Sequence, residues 1–216
     1  MNKEENRELE LDEIDAADIG RYHRVVHLEK NGFLLCKQGR ITLGMDDKEF
    51  DLHAGELYIY PAFSQTIVLR YSNDLKATIG MADFDFSFSS LESVSDTRSL
   101  VYIRFNPVVR LTDEQYRRIE ELIGLVRQRQ VGASVIGQQV VAALVQAFCF
   151  EVLDAYIANH PVGQEKTTHK DNIFRKFLVA LYGNFCTRRS VEFYARELCL
   201  LSLIHISEPT RPISIS

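Results

Sequence analysis

The histidines are the residues of this chain best suited to bind a metal ion, and their spacing does not bring three ligands together. A metal site needs about three imidazole or carboxylate ligands that converge on one point. No His-x-His pair occurs. His23 and His27 share one face of a predicted strand, but a four-residue step along a strand separates side chains by about 13 Å. His53 stands alone in a turn-like segment. The sequence therefore predicts no metal site and no cofactor.

Nucleophilic and acid–base chemistry have little support in the residue pattern. The chain lacks a Gly-x-Ser-x-Gly turn, a Cys beside a His and a Gly-rich phosphate loop. Asp83 and Asp85 alternate with aromatic residues, which fits the end of a strand as well as a pair of catalytic carboxylates. The cysteines are far apart and form no CxxC pair: Cys36, Cys149, Cys186 and Cys199. This pattern is typical of reduced thiols in a cytoplasmic protein, and we expect no enzymatic activity.

Four aromatic residues of the predicted β region are candidates for a small-molecule pocket: Phe33, Tyr58, Tyr60 and Phe63. Aromatic side chains at the mouth of a small β domain can line an effector site. The same residues can equally form its hydrophobic core, and the sequence leaves both interpretations open.

The C-terminal region contains a basic turn followed by a capped helix. Arg188 and Arg189 precede Ser190, a favoured N-cap residue. On the helix that follows, Val191, Ala195 and Leu198 fall on one face, and the small Ala195 leaves room for a crossing helix. Such a segment begins either a helix-turn-helix motif or an ordinary α-hairpin, and composition alone fits both.

Upstream elements predict an α+β protein. Residues 21–84 hold many short strands separated by turn signals, which is typical of an antiparallel sandwich or barrel. Thr112 and Gln115 form a capping box before a helix. A second helix, from about residue 133 to 158, is apolar over a wide arc. An arc of that width indicates burial on two sides, and we expect the second side to pack on another copy of the chain.

Charge is distributed unevenly along the chain. The net charge is −5, which gives no global nucleic-acid footprint. Residues 1–20 carry eight acidic residues against Lys3 and Arg7, and they predict an acidic N-terminal arm. Residues 172–200 sum to +3, so a polyanion would bind at this end. The most apolar run, residues 140–150, is shorter than the roughly 20 residues that a bilayer requires, and we expect no membrane partner.

A family resemblance favours the helix-turn-helix. The stretch RKFLVALYGNFCTRRSVEFYARELCL, residues 175–200, resembles the start of the DNA-binding domain of AraC/XylS-family transcription regulators. Residues 27–65 are similar to the cupin-type regulatory domain of that family. The resemblance implies an effector-sensing or dimerising barrel followed by two helix-turn-helix units. It makes Arg188, Arg189 and the N–H groups after Ser190 phosphate-binding candidates, since the first helix of the motif crosses the DNA backbone.

The last residues have a different origin in this interpretation. LSLIHISEPTR, Leu201–Arg211, resembles a translated transposon-type sequencing adapter, and the reading frame fits through Ser216. The family pattern continues with a Ser-Pro turn and a recognition helix, which the adapter-like residues replace. We therefore expect the native sequence to stop at Leu200 and the chain to be a fragment.

These observations combine into one prediction of organisation and function. The predicted segments are an acidic arm at 1–20, a cupin-like antiparallel β-barrel at 21–110, a helical dimerisation hairpin at 111–160, a linker at 161–171, a truncated helix-turn-helix domain at 172–200 and a non-native tail at 201–216. The predicted function is a sequence-specific, DNA-binding transcription regulator that forms a homodimer and has a small-molecule effector. The alternative is a stand-alone cupin-like module that binds a small molecule and no DNA.

Overall fold

The computed structural model describes two compact units of the chain. The first comprises residues 1–95 and 103–163, and the second comprises residues 96–102 and 164–216. Described are residues 10–22, 24–27, 30–60, 64–83, 103–130, 134–160, 173, 176–177, 180–181, 184, 188 and 190–198. The predicted linker at 161–171 and the adapter-like tail lie outside these residues.

The first unit is built on two antiparallel β-sheets. The strands are β1 (Glu10–Asp15), β2 (Arg24–His27), β3 (Lys30–Gln38), β4 (Arg40–Met45), β5 (Lys48–His53), β6 (Glu56–Tyr60), β7 (Ser64–Tyr71), β8 (Lys76–Asp83) and β9 (Val108–Arg110). The five-stranded sheet has the order β1-β8-β3-β6-β9, and the four-stranded sheet has the order β2-β7-β4-β5. The α+β class and the antiparallel sheets are as predicted.

The predicted closed barrel is wrong for the strands that the structure describes, because these form two separate sheets. Each sheet ends in strands with a single neighbour, and β9, at one edge, has only three residues. Tight turns carry the chain from one sheet to the other instead of continuing one ladder. Gly39, between β3 and β4, has φ 75°, and Gly55, between β5 and β6, has φ 85°. Both conformations favour glycine, so these positions direct the crossovers.

Alternate residues of the strands fill the space between the two sheets. Leu34, Tyr58 and Ile79 lie side by side in register on β3, β6 and β8, and all three are buried. Leu43 and Leu52 are completely buried on the four-stranded sheet and belong to the same core. This alternation with a period of two residues is what a two-layer β structure requires.

The outer face of the five-stranded sheet is also apolar, and two helices cover it. Leu35, Leu57 and Val109 are aligned across β3, β6 and β9 on the face opposite the inter-sheet core, yet all are fully buried. On this side Phe33 contacts Phe148 of the second long helix, with ring centroids 4.6 Å apart. The first unit therefore has three layers rather than the two of an isolated barrel and hairpin.

The helices of the first unit begin where the sequence places their caps. After α1 (Ile19–Tyr22) come α2 (Asp113–Gln130) and α3 (Val135–Asn159). At the start of α2, the Gln115 N–H donates to Thr112 Oγ1 at 3.2 Å and the Thr112 N–H donates to Gln115 Oε1 at 2.9 Å. Both hydrogen bonds of the predicted capping box are therefore formed. Ser134 caps α3 by accepting from the Gly137 N–H at 3.1 Å.

Part of the predicted N-terminal arm is structural. Residues 10–15 form β1, which pairs with β8 from Glu10 opposite Met81 to Asp15 opposite Lys76. Ile14 points into the inter-sheet core and is 4% exposed, and Ile19 of α1 is 2% exposed. Two apolar anchors thus hold an otherwise acidic segment, and the charge count masked them. Residues 1–9 lie outside the described part.

In the second unit, the described residues are helical on both sides of a turn. Ile173, Lys176, Phe177, Ala180, Leu181 and Asn184 have helical backbone, and α4 runs over Val191–Glu197. Arg188 and Ser190 lie between them. This helix–turn–helix order agrees with the residue pattern of 172–200.

Candidate functional site

The turn before α4 holds the predicted phosphate-binding residues that the structure describes. Arg188 is exposed, and its N–H donates to the Asn184 carbonyl at 2.7 Å. Ser190 has extended backbone with φ −83° and ψ 132°, and its Oγ accepts from the Phe193 N–H at 3.2 Å. Ser190 is therefore the N-cap of α4, as the sequence predicts. Arg189 lies outside the described residues.

The three predicted packing residues of α4 differ in exposure. Val191 is 83% exposed, whereas Ala195 and Leu198 are half-buried. The side chain that α4 buries is Tyr194, which is 6% exposed. Sequence analysis did not select Tyr194. Its position four residues before Leu198 on one helical face is the signal that could have found it.

Tyr194 joins α4 to the preceding turn and to the helical residues before it. Its ring packs edge-on against Phe177 at 5.8 Å and against Phe193 at 5.1 Å between centroids. Its hydroxyl donates to the Arg188 carbonyl at 2.6 Å. The Arg188 guanidinium in turn lies 5.9 Å from the centroid of Phe193. Together these contacts give the turn a defined backbone and one exposed cation stacked on an aromatic ring.

The four aromatic residues of the predicted effector pocket do not share one site. Tyr58 and Tyr60 lie on the inner face of β6, with ring centroids 5.0 Å apart, and Tyr58 also contacts Phe50. Phe33 lies on the opposite face of the sheet, against α3. Phe63 is outside the described residues. The structure thus brings Tyr58 and Tyr60 together and separates Phe33 from them.

Buried hydroxyl groups make the inner tyrosine pair polar as well as apolar. The Tyr58 hydroxyl lies 3.6 Å from Met45 Sδ. Burial raises the pKa of Tyr58 to about 12, although a hydrogen bond from the side chain of Thr66 acts in the opposite direction. Burial likewise raises the pKa of Tyr60. Both phenols are therefore neutral near pH 7, and they act as hydrogen-bonding groups rather than as bases.

An ion pair that the sequence did not indicate lies near Tyr58. Arg104 Nη2 donates to Asp46 Oδ2 at 2.8 Å, and the side chain of Arg104 is 17% exposed. Asp46 and Asp47 form the two-residue turn between β4 and β5, with φ 49° and 62°. Two successive positive φ angles define the turn type that suits a hairpin. The pair links this hairpin to the segment that leads into β9.

Within the described residues, the chain offers little for redox, metal or nucleophilic chemistry. No group of three or more His, Cys, Asp and Glu side chains there could hold a metal ion. Burial raises the pKa of the Cys36 thiol to about 11, as it does for Cys149, so both are protonated at neutral pH. Both are free thiols.

One helix in the described part, α3, is long and apolar enough to cross a membrane by length and composition. Core helices of soluble proteins meet the same criterion. In this structure Val141, Val145 and Phe148 of α3 are buried.

No protein-family model matches the chain, and no curated protein matches it. Among solved structures, the AraC-like transcriptional activator CuxR is 14% identical with a TM-score of 0.45, over 89% of this chain and 63% of that one. ToxT from Vibrio cholerae is 8% identical with a TM-score of 0.40, over 90% and 70% of the two chains. A Cupin 2 conserved barrel domain protein from Salinispora arenicola is 15% identical with a TM-score of 0.29, over 39% and 72%. The chain thus spans less than two thirds of CuxR, and likeness at this level assigns no function.

Proposed function

We propose that this chain is part of a cytoplasmic, non-enzymatic transcription regulator that binds specific DNA sequences. In this proposal the second unit begins a helix-turn-helix domain, and the first unit senses an effector and forms a dimer. The observation that carries it is the turn before α4, where an exposed Arg188 stands beside a helix capped by Ser190. An exposed guanidinium beside free helical N–H groups suits a phosphate oxygen.

The residues after α4 determine what the chain can do. Base recognition needs side chains on base edges, and in a helix-turn-helix these belong to the second helix. The adapter-like residues Leu201–Arg211 and the two prolines, Pro209 and Pro212, are poor material for such a helix. We propose that the native reading frame continues differently beyond Leu200, and that the chain as printed does not distinguish DNA sequences.

Dimer formation is the second element of the proposal, and its support is the outer face of α3. Ile136 is 73% exposed, Ile157 is 47% exposed, and Val140 and Phe150 are also exposed on the side of α3 that faces away from the sheet. Leu125 on the neighbouring α2 is 44% exposed. A contiguous apolar surface of this kind is typical of an interaction site. The proposed interface lies within residues 112–158.

The proposed effector site is on the inner face of the sandwich. Tyr58 and Tyr60 supply apolar rings and neutral hydroxyl groups there. Phe33 packs on α3 instead, so it is better suited to transmit a change at the sheet than to touch an effector. The alternative function, a module that binds a small molecule and no DNA, would use the same tyrosines and make no use of Arg188.

Selection from a pool of randomised duplex DNA tests the proposal. The reading frame beyond Leu200 is first recovered from the source DNA, and the extended protein and the printed chain are then compared. The proposal predicts that the extended protein enriches one sequence motif and that the printed chain enriches none. If the extended protein enriched no motif, the alternative without DNA binding would replace the proposal.

A further inference from the structure

We propose that Tyr194 is a positioning residue that holds Arg188 in place for a DNA phosphate. This inference rests on the proposed function, because it takes Arg188 as a phosphate contact. It adds a residue that contacts no DNA itself and acts through the turn. The elements that carry it are a buried phenol, a main-chain carbonyl and a stacked guanidinium in the second unit.

The Tyr194 hydroxyl fixes the turn from the side of α4. It donates to the carbonyl oxygen of Arg188 at 2.6 Å, so one hydrogen bond spans six residues. The ring is 6% exposed and is held by the edges of Phe177 and Phe193. A ring packed in this way has little rotamer freedom, so its hydroxyl is presented to the turn at low entropic cost.

The opposite side of the Arg188 peptide is fixed as well. The Arg188 N–H donates to the Asn184 carbonyl at 2.7 Å, and the Asn184 amide donates to the Ala180 carbonyl at 2.8 Å. Both main-chain polar groups of Arg188 therefore have a partner, one on the preceding helical residues and one on α4. With its N–H and its C=O both bonded, the backbone of Arg188 sets the direction in which the side chain leaves the turn.

The side chain of Arg188 is further oriented by Phe193. Its guanidinium carbon lies 5.9 Å from the centroid of that ring, within the range of a cation–π contact. A guanidinium stacked on a ring keeps its in-plane N–H donors free for a planar or tetrahedral anion. Tyr194 and Phe193 thus define, from neighbouring positions of one helix, where the Arg188 donors point.

Binding to random-sequence duplex DNA at low salt measures this role in the chain as printed. Arg188→Ala should lower the slope of log affinity against log salt by about 0.9 and weaken binding about fivefold to tenfold at 0.1 M salt. Tyr194→Phe keeps the ring and removes one hydrogen bond, so it should weaken binding about twofold to tenfold. The double variant should bind no more weakly than Arg188→Ala. Tyr71→Phe, an exposed tyrosine of β7, is the matched control and should change nothing.

Each other outcome overturns a defined statement. Unchanged binding by Tyr194→Phe, alongside weaker binding by Arg188→Ala, overturns the inference and leaves the proposed function in place. Unchanged or undetectable binding in both the parent chain and Arg188→Ala overturns the phosphate role of Arg188 and the inference with it. A double variant that is weaker than Arg188→Ala shows that Tyr194 acts independently, for example through unfolding of α4, and overturns the inference. Hydrogen exchange at the Leu198 amide, which donates to the Tyr194 carbonyl, identifies that case.

Discussion

At the scale of single residues, Glu13 connects three elements of the first unit. Its Oε1 accepts from Lys37 Nζ of β3 at 3.0 Å, from Thr78 Oγ1 of β8 at 3.0 Å and from Arg127 Nη2 of α2 at 2.9 Å. Lys37 also pairs with Glu120 of α2 at 2.7 Å. Exposed pairs contribute little singly, but this network joins the edge strand β1 to the helical layer.

The same contacts make the stability of the first unit depend on pH. Burial alone would raise the pKa of Glu13, but hydrogen bonds from Arg127, Lys37 and Thr78 outweigh it and hold this pKa below its ordinary value of 4.5. A lowered carboxyl pKa stabilises the folded state above the ordinary pKa, and the contribution disappears as the pH falls through the folded-state pKa.

Glu13→Gln should therefore lower the free energy of unfolding by about 1 kcal/mol at pH 7. The difference from the parent chain should shrink as the pH falls below 4.5, because the parent then loses the same charge. Urea unfolding at a series of pH values measures both effects. Glu49→Gln, which removes only the exposed pair with Arg70, is the control and should have almost no effect; an equal loss in both variants would contradict the prediction.

Gly80 is a position where a single methyl group should disrupt the sheet–helix interface. A Cβ on Gly80 would lie 2.2 Å from Cε1 of Phe33, whose ring is held against Phe148. Gly80→Ala should destabilise the protein by about 1–3 kcal/mol. Gly124 of α2 has nothing within 4 Å of the same atom, so Gly124→Ala should stabilise by about 0.5–1 kcal/mol. Thermal unfolding compares them, and a Gly80→Ala protein as stable as its parent would show that Phe33 is free to move.

At the scale of elements, α3 has two apolar faces with different roles. Phe148 is 7% exposed on the sheet side, and Phe150 is 38% exposed on the other side. Phe148→Ala should cost about 3–5 kcal/mol of stability because it leaves a cavity against Phe33. Phe150→Ala leaves no enclosed cavity, so we expect a much smaller loss in dilute protein. Denaturant unfolding of both variants tests the assignment, and equal losses would contradict it.

The outer face of α3 should determine the oligomeric state. Replacing Phe150 and Ile157 together by Glu puts two charges into the proposed interface and should convert a dimer to a monomer at tens of micromolar protein. Leu69→Glu changes an apolar residue of β7 that is 37% exposed on the other sheet, and it should leave the dimer intact. Sedimentation velocity distinguishes the species. A parent chain that is itself monomeric at that concentration would remove the support for the interface.

Elements with strong local signals were predictable from the sequence. The capping box at Thr112, the Ser134 and Ser190 caps and the glycine turns all depend on residues within a few positions of one another. The pairing of β1 with β8 depends on Ile14 meeting a core made by distant residues, and no local pattern carries that information. For the same reason the separation of Phe33 from Tyr58 was not predictable, because it depends on which sheet face the helices cover.

At the scale of the whole molecule, the chain combines a sandwich covered by helices with a short helical unit. The two units have different chemistry: the first buries apolar layers and neutral phenols, and the second presents an exposed arginine beside a capped helix. The contacts of Tyr194 were not predictable as a site, since they join residues 177, 188 and 194 only after the turn is formed. The part of the site that lies nearest in sequence, the N-cap, was predicted.

The ratio of affinities for a selected DNA site and a random duplex tests the central claim most directly. The printed chain and the protein extended by its native reading frame beyond Leu200 are titrated with both duplexes over a range of salt concentrations. We expect a ratio on the order of 10³ or more at physiological salt for the extended protein, and a ratio near one for the printed chain. An extended protein that binds both duplexes equally would contradict the regulator function, and a printed chain that discriminates between them would contradict the loss of its recognition helix.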